Sequence, residues 1–177
     1  MKASGFTLIE LLVVVMIMAV LTAVAMPQYR RSMDRSKAAE AMQMLPALFE
    51  ARERWMIEHG CDWEDGSPSE YSCPDHETIS VRKLDIESNG TTSGNTLTTG
   101  NFVYNIVPGE TGTGTNQQCV SAQPRWGSSR GLASGGDNSS AAVIWYRGDK
   151  FSCTDGTVTG GCAILNVDNG DGDGSCK

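Results

Sequence analysis

The sequence predicts an α+β fold in which one long N-terminal helix packs against an antiparallel β-sheet in a disulfide-rich head. Three observations predict it. Residues 6–26 are apolar except for Thr7, Glu10 and Thr22, and good helix formers continue to about residue 58. After Gly60 the pattern changes to short apolar or alternating runs separated by Gly, Ser, Thr and Asn, as strands and turns require. All six cysteines, Cys61, Cys73, Cys119, Cys153, Cys162 and Cys176, fall in that second region. A chain of 177 residues has room for one folded domain beside such a helix, and 40% hydrophobic content suffices for a modest core.

The apolar run comes first. As a helix it measures about 30 Å, one hydrocarbon core. Its order excludes an ordinary secretory signal, in which a small-residue cleavage site follows the apolar stretch. Here the small residue, Gly5, precedes it, so a cut after Gly5 leaves the helix on the mature chain. Glu10 sits inside the run, where an ionisable carboxylate costs roughly 2.5 to 3.5 kcal/mol on insertion scales. A residue that expensive needs a partner, and a cation from another chain is the reading the position favours.

Gly5-Phe6-Thr7-Leu8-Ile9-Glu10 resembles the prepilin signature shared by type IV pilins and type II secretion pseudopilins. The resemblance continues through Pro27 and the helix to about residue 60. It implies cleavage between Gly5 and Phe6 by a prepilin peptidase, N-methylation of Phe6, and a contact of Glu10 with the N-terminal amine of a neighbouring subunit. Pro27 matches a proline at which the family's helix breaks, letting the preceding segment extend on packing. The implied division is a leader (1–5), a transmembrane and assembly helix (6–27), an amphipathic helix of the head (28–58) and a β-rich head (59–177). The implied partners are other pilin subunits in a homo- or heteropolymer, the prepilin peptidase, an inner-membrane assembly platform and, before assembly, membrane lipid. The precursor is expected in a bacterial inner membrane as a single-pass protein with its head outside the cytoplasm, and later in an extracellular pilus or a periplasmic pseudopilus.

Charge gives an opposing indication of orientation. Lys2 precedes the span while Arg30, Arg31, Arg35 and Lys37 follow it, so a positive-inside count alone favours a cytoplasmic head. The cysteines and the prepilin-like motif place the head on the exported side.

Proline inside a helix removes a hydrogen bond, so Pro27 and Pro46 are each expected to kink or locally melt it. Beyond the anchor, Ala41, Met44, Leu48, Ala51 and Trp55 share one helical face, which a sheet should cover. Glu50 with Arg54, and Asp34 with Ala38, read as the solvated opposite face. In the head, strands are expected at 79–86, 102–107, 119–123, 142–147, 150–153 and 162–167. The clearest hairpin turns through Gly148-Asp149. Arg147-Gly148-Asp149 also spells an integrin-binding tripeptide, but a tight turn explains it better. Residues 88–100, 110–116 and 128–140 read as exposed loops.

An even cysteine count in a polar, Gly-rich head reads as three disulfides made in an oxidising compartment, with fifteen connectivities open. Proximity favours Cys61 with Cys73 and Cys162 with Cys176, leaving Cys119 with Cys153. A zinc site is disfavoured by the lack of a CxxC pair and of ligand-like spacing from His59 or His76. No cofactor is certain. Asn169, Asp171 and Asp173 alternate with glycines and fit the first half of a calcium loop, without its closing Glu. A solvated acidic tail tied down by Cys176 is the competing reading.

From residue 59 onward seven Lys or Arg face fifteen Asp or Glu, a formal charge of −8. Such a head does not bind nucleic acid, although DNA uptake by a whole filament stays open. There is no GxSxG, phosphate-binding glycine loop or HExxH, so no enzyme is expected. The readings left are a structural subunit of a type IV pilus serving adhesion, twitching motility or DNA uptake, a pseudopilin of type II secretion, and a membrane-tethered calcium- or ligand-binding module that never polymerises.

Overall fold

The long helix α1 spans Leu8–Glu58 in a computed structural model, whose described residues are 7–63, 71–106, 119–127, 132, 142–156 and 160–167. It is helical without interruption through Pro27 and Pro46, so neither proline melts it locally in the single chain, while the break implied at Pro27 concerns packed subunits. Each proline removes only one amide donor from a helix of 51 residues, and the flanking turns hold the ladder.

The two halves of α1 differ in packing. Residues 8–33 are exposed. From Asp34 onward a buried stripe runs through Asp34, Ala38, Ala41, Leu45, Leu48, Ala51, Arg52, Trp55 and Met56. Spacings of three and four keep these residues on one side of the helix. Asp34 and Ala38 therefore belong to the packed face and not to the solvated one expected from the sequence. Met44 packs against the core only in part.

A six-stranded antiparallel sheet covers that stripe, in the simple order β3 (Thr91–Ser93), β4 (Thr96–Thr98), β5 (Phe102–Asn105), β6 (Val120–Pro124), β7 (Val143–Tyr146) and β8 (Phe151–Thr154). Alternation along β5 sends Phe102 and Tyr104 into the core, with Ile106 following, while Val103 and Asn105 face outward. Leu97, Val120, Ala122 and Ile144 complete the layer against Leu45 and Leu48. Pro124 ends β6 beyond its pairing with β7, where its missing amide costs no ladder bond on that side. Before the sheet, β1 (Asp62–Trp63) and β2 (Tyr71–Ser72) form a small separate pair.

The β7–β8 hairpin forms as expected, with Tyr146 opposite Phe151 and Gly148 in the turn at φ +94°. That glycine is also sterically required, because a Cβ there would stand 2.8 Å from Phe49 Cε1. Three expectations for the head change. Residues 79–86 hold a 3-10 turn at Val81–Lys83 instead of a strand, with Val81 and Leu84 buried three apart as that helix's period demands. Within the expected loop 88–100, β3 and β4 form a hairpin around Gly94-Asn95. The expected strand at 162–167 is instead the short helix α2 (Gly161–Leu165). Asp155 starts it by accepting the backbone amides of Gly160 at 2.8 Å and Cys162 at 2.7 Å.

The disulfides correct the expected pairing. Cys61–Cys73 forms as expected, with Cα atoms 4.2 Å apart, but Cys162 pairs with Cys153 at 5.7 Å and not with Cys176. Cys119 cannot reach Cys153, because β7 lies between β6 and β8 and two strand spacings are about 10 Å, beyond the roughly 7 Å limit for a bridge. Cys119 is itself disulfide-bonded. Of the expected loops, 110–116 lies outside the described residues, as does 128–140 apart from Leu132, which is fully buried.

Candidate assembly site

The exposed half of α1 begins at a capped end. Thr7 is the N-cap, and its hydroxyl accepts the Glu10 amide at 3.3 Å. Glu10 reaches back, its Oε2 accepting the Thr7 amide and the Thr7 hydroxyl, both at 2.8 Å. This reciprocal arrangement satisfies two donors that a helix start leaves open. Glu10 thus has a partner within its own chain, which the sequence reading missed. The T-x-x-E spacing of Thr7-Leu8-Ile9-Glu10 was the available signal. Both contacts use Oε2, and among the described residues Oε1 takes no hydrogen bond.

Beyond Glu10 the helix presents apolar side chains on every side. Leu21 is 64% exposed and Val24 63%, values that an apolar side chain holds in water only at a cost. The one other polar group of the run is satisfied locally, since the Thr22 hydroxyl donates to the Met18 carbonyl at 2.7 Å. By length and composition the helix suffices to cross a membrane.

The helix enters the head at a polar clasp. The Trp126 indole donates to Asp34 Oδ1 at 2.7 Å, stands edge-on to Phe102 at 5.0 Å, and receives Lys37 Nζ over its face at 4.8 Å. One turn further, Glu40 accepts from the Thr99 hydroxyl at 2.9 Å and the Asn101 amide at 2.6 Å, with Tyr104 at 3.5 Å. Burial first, and then the Glu40 charge, push the Tyr104 hydroxyl well above its ordinary pKa. Deeper still, Arg52 is fully buried and donates to the carbonyls of Ile106 at 3.0 Å and Cys119 at 2.9 Å and to Glu53 Oε1 at 2.8 Å. Burial lowers its pKa while Glu53 opposes that shift. From the sequence Asp34 was expected on the solvated face, and Glu40 and Arg52 were not singled out. Their positions on the 34-38-41-45-48-52-55 stripe were the signal for Asp34 and Arg52.

Of the other residues singled out in the sequence, Gly5, Phe6, Cys176, Asn169, Asp171 and Asp173 lie outside the described residues. Among the described residues no three His, Cys, Asp or Glu side chains come together as a metal site. The described residues offer an apolar rod with one carboxylate at its start, held by a folded head.

The pattern described as the prokaryotic N-terminal methylation motif matches residues 1–26. The prepilin peptidase-dependent protein D of Escherichia coli K12 is 34% identical over 101 residues, 54% of this chain and 69% of that protein. The type IV major pilin protein PilA of Myxococcus xanthus is 44% identical over 57 residues, and the type IV major pilin protein PilE1 of Neisseria gonorrhoeae 34% over 71. Those two alignments take in 32% and 40% of this chain but only 26% and 33% of the relatives' length. No solved structure matches.

Proposed function

Because the chain belongs to the type IV pilin and pseudopilin family, we propose that it is a structural subunit of a type IV pilus, assembled through residues 6–27 after removal of the leader 1–5. The observation that carries this reading is the unpacked half of α1: an apolar helix continuous with a firmly held head, and exposed on all sides. In the precursor that surface is covered by lipid, and in the filament by the same helix of other subunits. Cleavage falls between Gly5 and Phe6, the new amine of Phe6 is methylated, and Glu10 receives the amine of a neighbour. The free Oε1 supports such a contact, because Oε2 can keep the helix start capped while Oε1 meets the incoming cation. Pro27 is the point at which the helix yields on packing. Adhesion, motility or DNA uptake are tasks of the whole filament.

Replacing Glu10 by Gln tests the role directly. The variant keeps a side chain able to accept from Thr7, so it is expected to insert into the membrane normally while sheared filament yield falls at least about tenfold, as loss of a charged contact worth roughly 1.5 to 3 kcal/mol implies. Normal filament yield would sink the role given to Glu10. Filaments absent from the cell surface, together with blocked protein secretion in a deletion strain, would favour a pseudopilus. A chain that never leaves the membrane fraction and never self-associates would favour the tethered module.

A further inference from the structure

Where α1 leaves its apolar stretch, a groove sets an apolar wall beside a rim of cations. It is an open cleft of about 930 Å3 between α1 and α2. Its lower wall is apolar, from Ala23, Met26, Pro27 and Ile164, and its upper rim is Arg30, Arg31 and Arg35. All three arginines are exposed, and among the described residues none forms an ion pair. Among the described residues, the carboxylates nearest in sequence to the arginines and to α2 have other partners: Asp34 accepts from Trp126, and Asp155 from the amides of Gly160 and Cys162.

Position along the helix sets what can lie there. Leu8–Met26 spans about 27 Å, nearly the whole hydrocarbon thickness. Arg30 then stands about 6 Å beyond Met26 and Arg35 about 14 Å, at the depth of lipid headgroups and just above it. Cations on this side of the span run against the positive-inside trend, so the sequence carries them despite an unfavourable effect on insertion. Three guanidiniums over an apolar wall match a phosphate with its first acyl carbons.

We propose that the α1–α2 groove binds an anionic phospholipid of the bilayer in which the precursor sits, its phosphate held by Arg30, Arg31 and Arg35 and its upper acyl chain against Met26, Pro27 and Ile164. The proposal rests on the anchored-precursor reading above. Release of this lipid accompanies extraction of the subunit into a filament, where the arginines need a different counter-charge.

The test uses the full-length chain in mild detergent, titrated with phosphatidylglycerol or with phosphatidylcholine while native mass spectrometry counts bound lipid. Phosphatidylglycerol is expected to be retained in preference. Each of Arg30→Gln, Arg31→Gln and Arg35→Gln should lower that preference about fivefold, whereas lysine at the same positions keeps most of it. Lys150→Gln, on the distant β7–β8 hairpin, should leave it unchanged. Equal retention of the two lipids by the unmodified chain, or a preference that survives all three Gln substitutions, overturns the proposal. Gln variants that keep their lipid but lose filaments also overturn it, and give the groove to an acidic surface of a neighbouring copy. A chain that stays in the aqueous phase before any lipid is added brings down the anchored reading instead, so the two failures are distinguishable.

Discussion

The two halves of α1 share a backbone conformation and differ in where their side chains find contacts. From Asp34 to Met56 the helix is stabilised within its own chain, by a sheet on one face and by polar clasps at Asp34, Glu40 and Arg52. From Leu8 to Met33 it has no such cover, and its apolar side chains need lipid or other subunits. Secondary structure therefore says little about where a helix is completed; the width of its apolar surface says more. A stripe is satisfied by one sheet, whereas a rod apolar on all sides needs a surrounding.

The largest effect should come from one substitution made in each half. Leu48→Ala opens a cavity in a site of zero exposure and should lower head stability by about 3 kcal/mol in chemical unfolding of the full chain in detergent. Leu12→Ala, 55% exposed, should leave the same unfolding midpoint within error and act only on filament yield. Equal effects on head stability would erase the distinction between the halves. At their junction, Asp34→Ala leaves the Trp126 indole without its acceptor and should cost about 1 to 2 kcal/mol, with a change in Trp126 fluorescence as local readout. An unchanged emission would show that the junction lies elsewhere.

The smallest effect is a pH dependence confined to the packed half. Because the folded pKa of Tyr104 is raised, its contribution is fully present below the unfolded value of about 10 and is lost as pH rises from there toward the folded value. Head stability should decline above about pH 10, and Tyr104→Phe should make that decline shallower. Equal slopes for the two proteins would mean that Tyr104 ionises as freely folded as unfolded.

Much of this division was legible in the sequence, because it is written in the breadth of apolar surface. Residues 6–26 admit only three polar side chains, and the stripe through Ala41, Leu48, Ala51 and Trp55 keeps helical spacing. The hairpin around Gly148-Asp149 was equally plain, since alternating residues flank a turn pair. What stayed hidden depended on contacts distant in sequence. Arg52 reads as a surface cation until the carbonyls of Ile106 and Cys119 are seen beside it. Cys162 and its neighbours have the apolar run of a strand, but Asp155 caps them into a helix and Cys153 ties them to β8. The β3–β4 hairpin was missed because Thr and Ser serve loops and strands alike, although Gly94-Asn95 is a hairpin turn pair. For the candidate site, Glu10 was visible as an anomaly of charge, while its capping role needed attention to Thr7 three residues earlier.

The buried stripe also fixes how the subunit carries load. It runs along the axis of a single rod from Asp34 to Met56, about 33 Å of continuous contact. A pull on the N-terminal segment acts parallel to that contact, so the interlocked side chains resist in shear and must give way together. The same residues arranged across the rod would peel one by one at far lower force. The Cys61–Cys73 bridge closes the chain covalently just past the end of that contact.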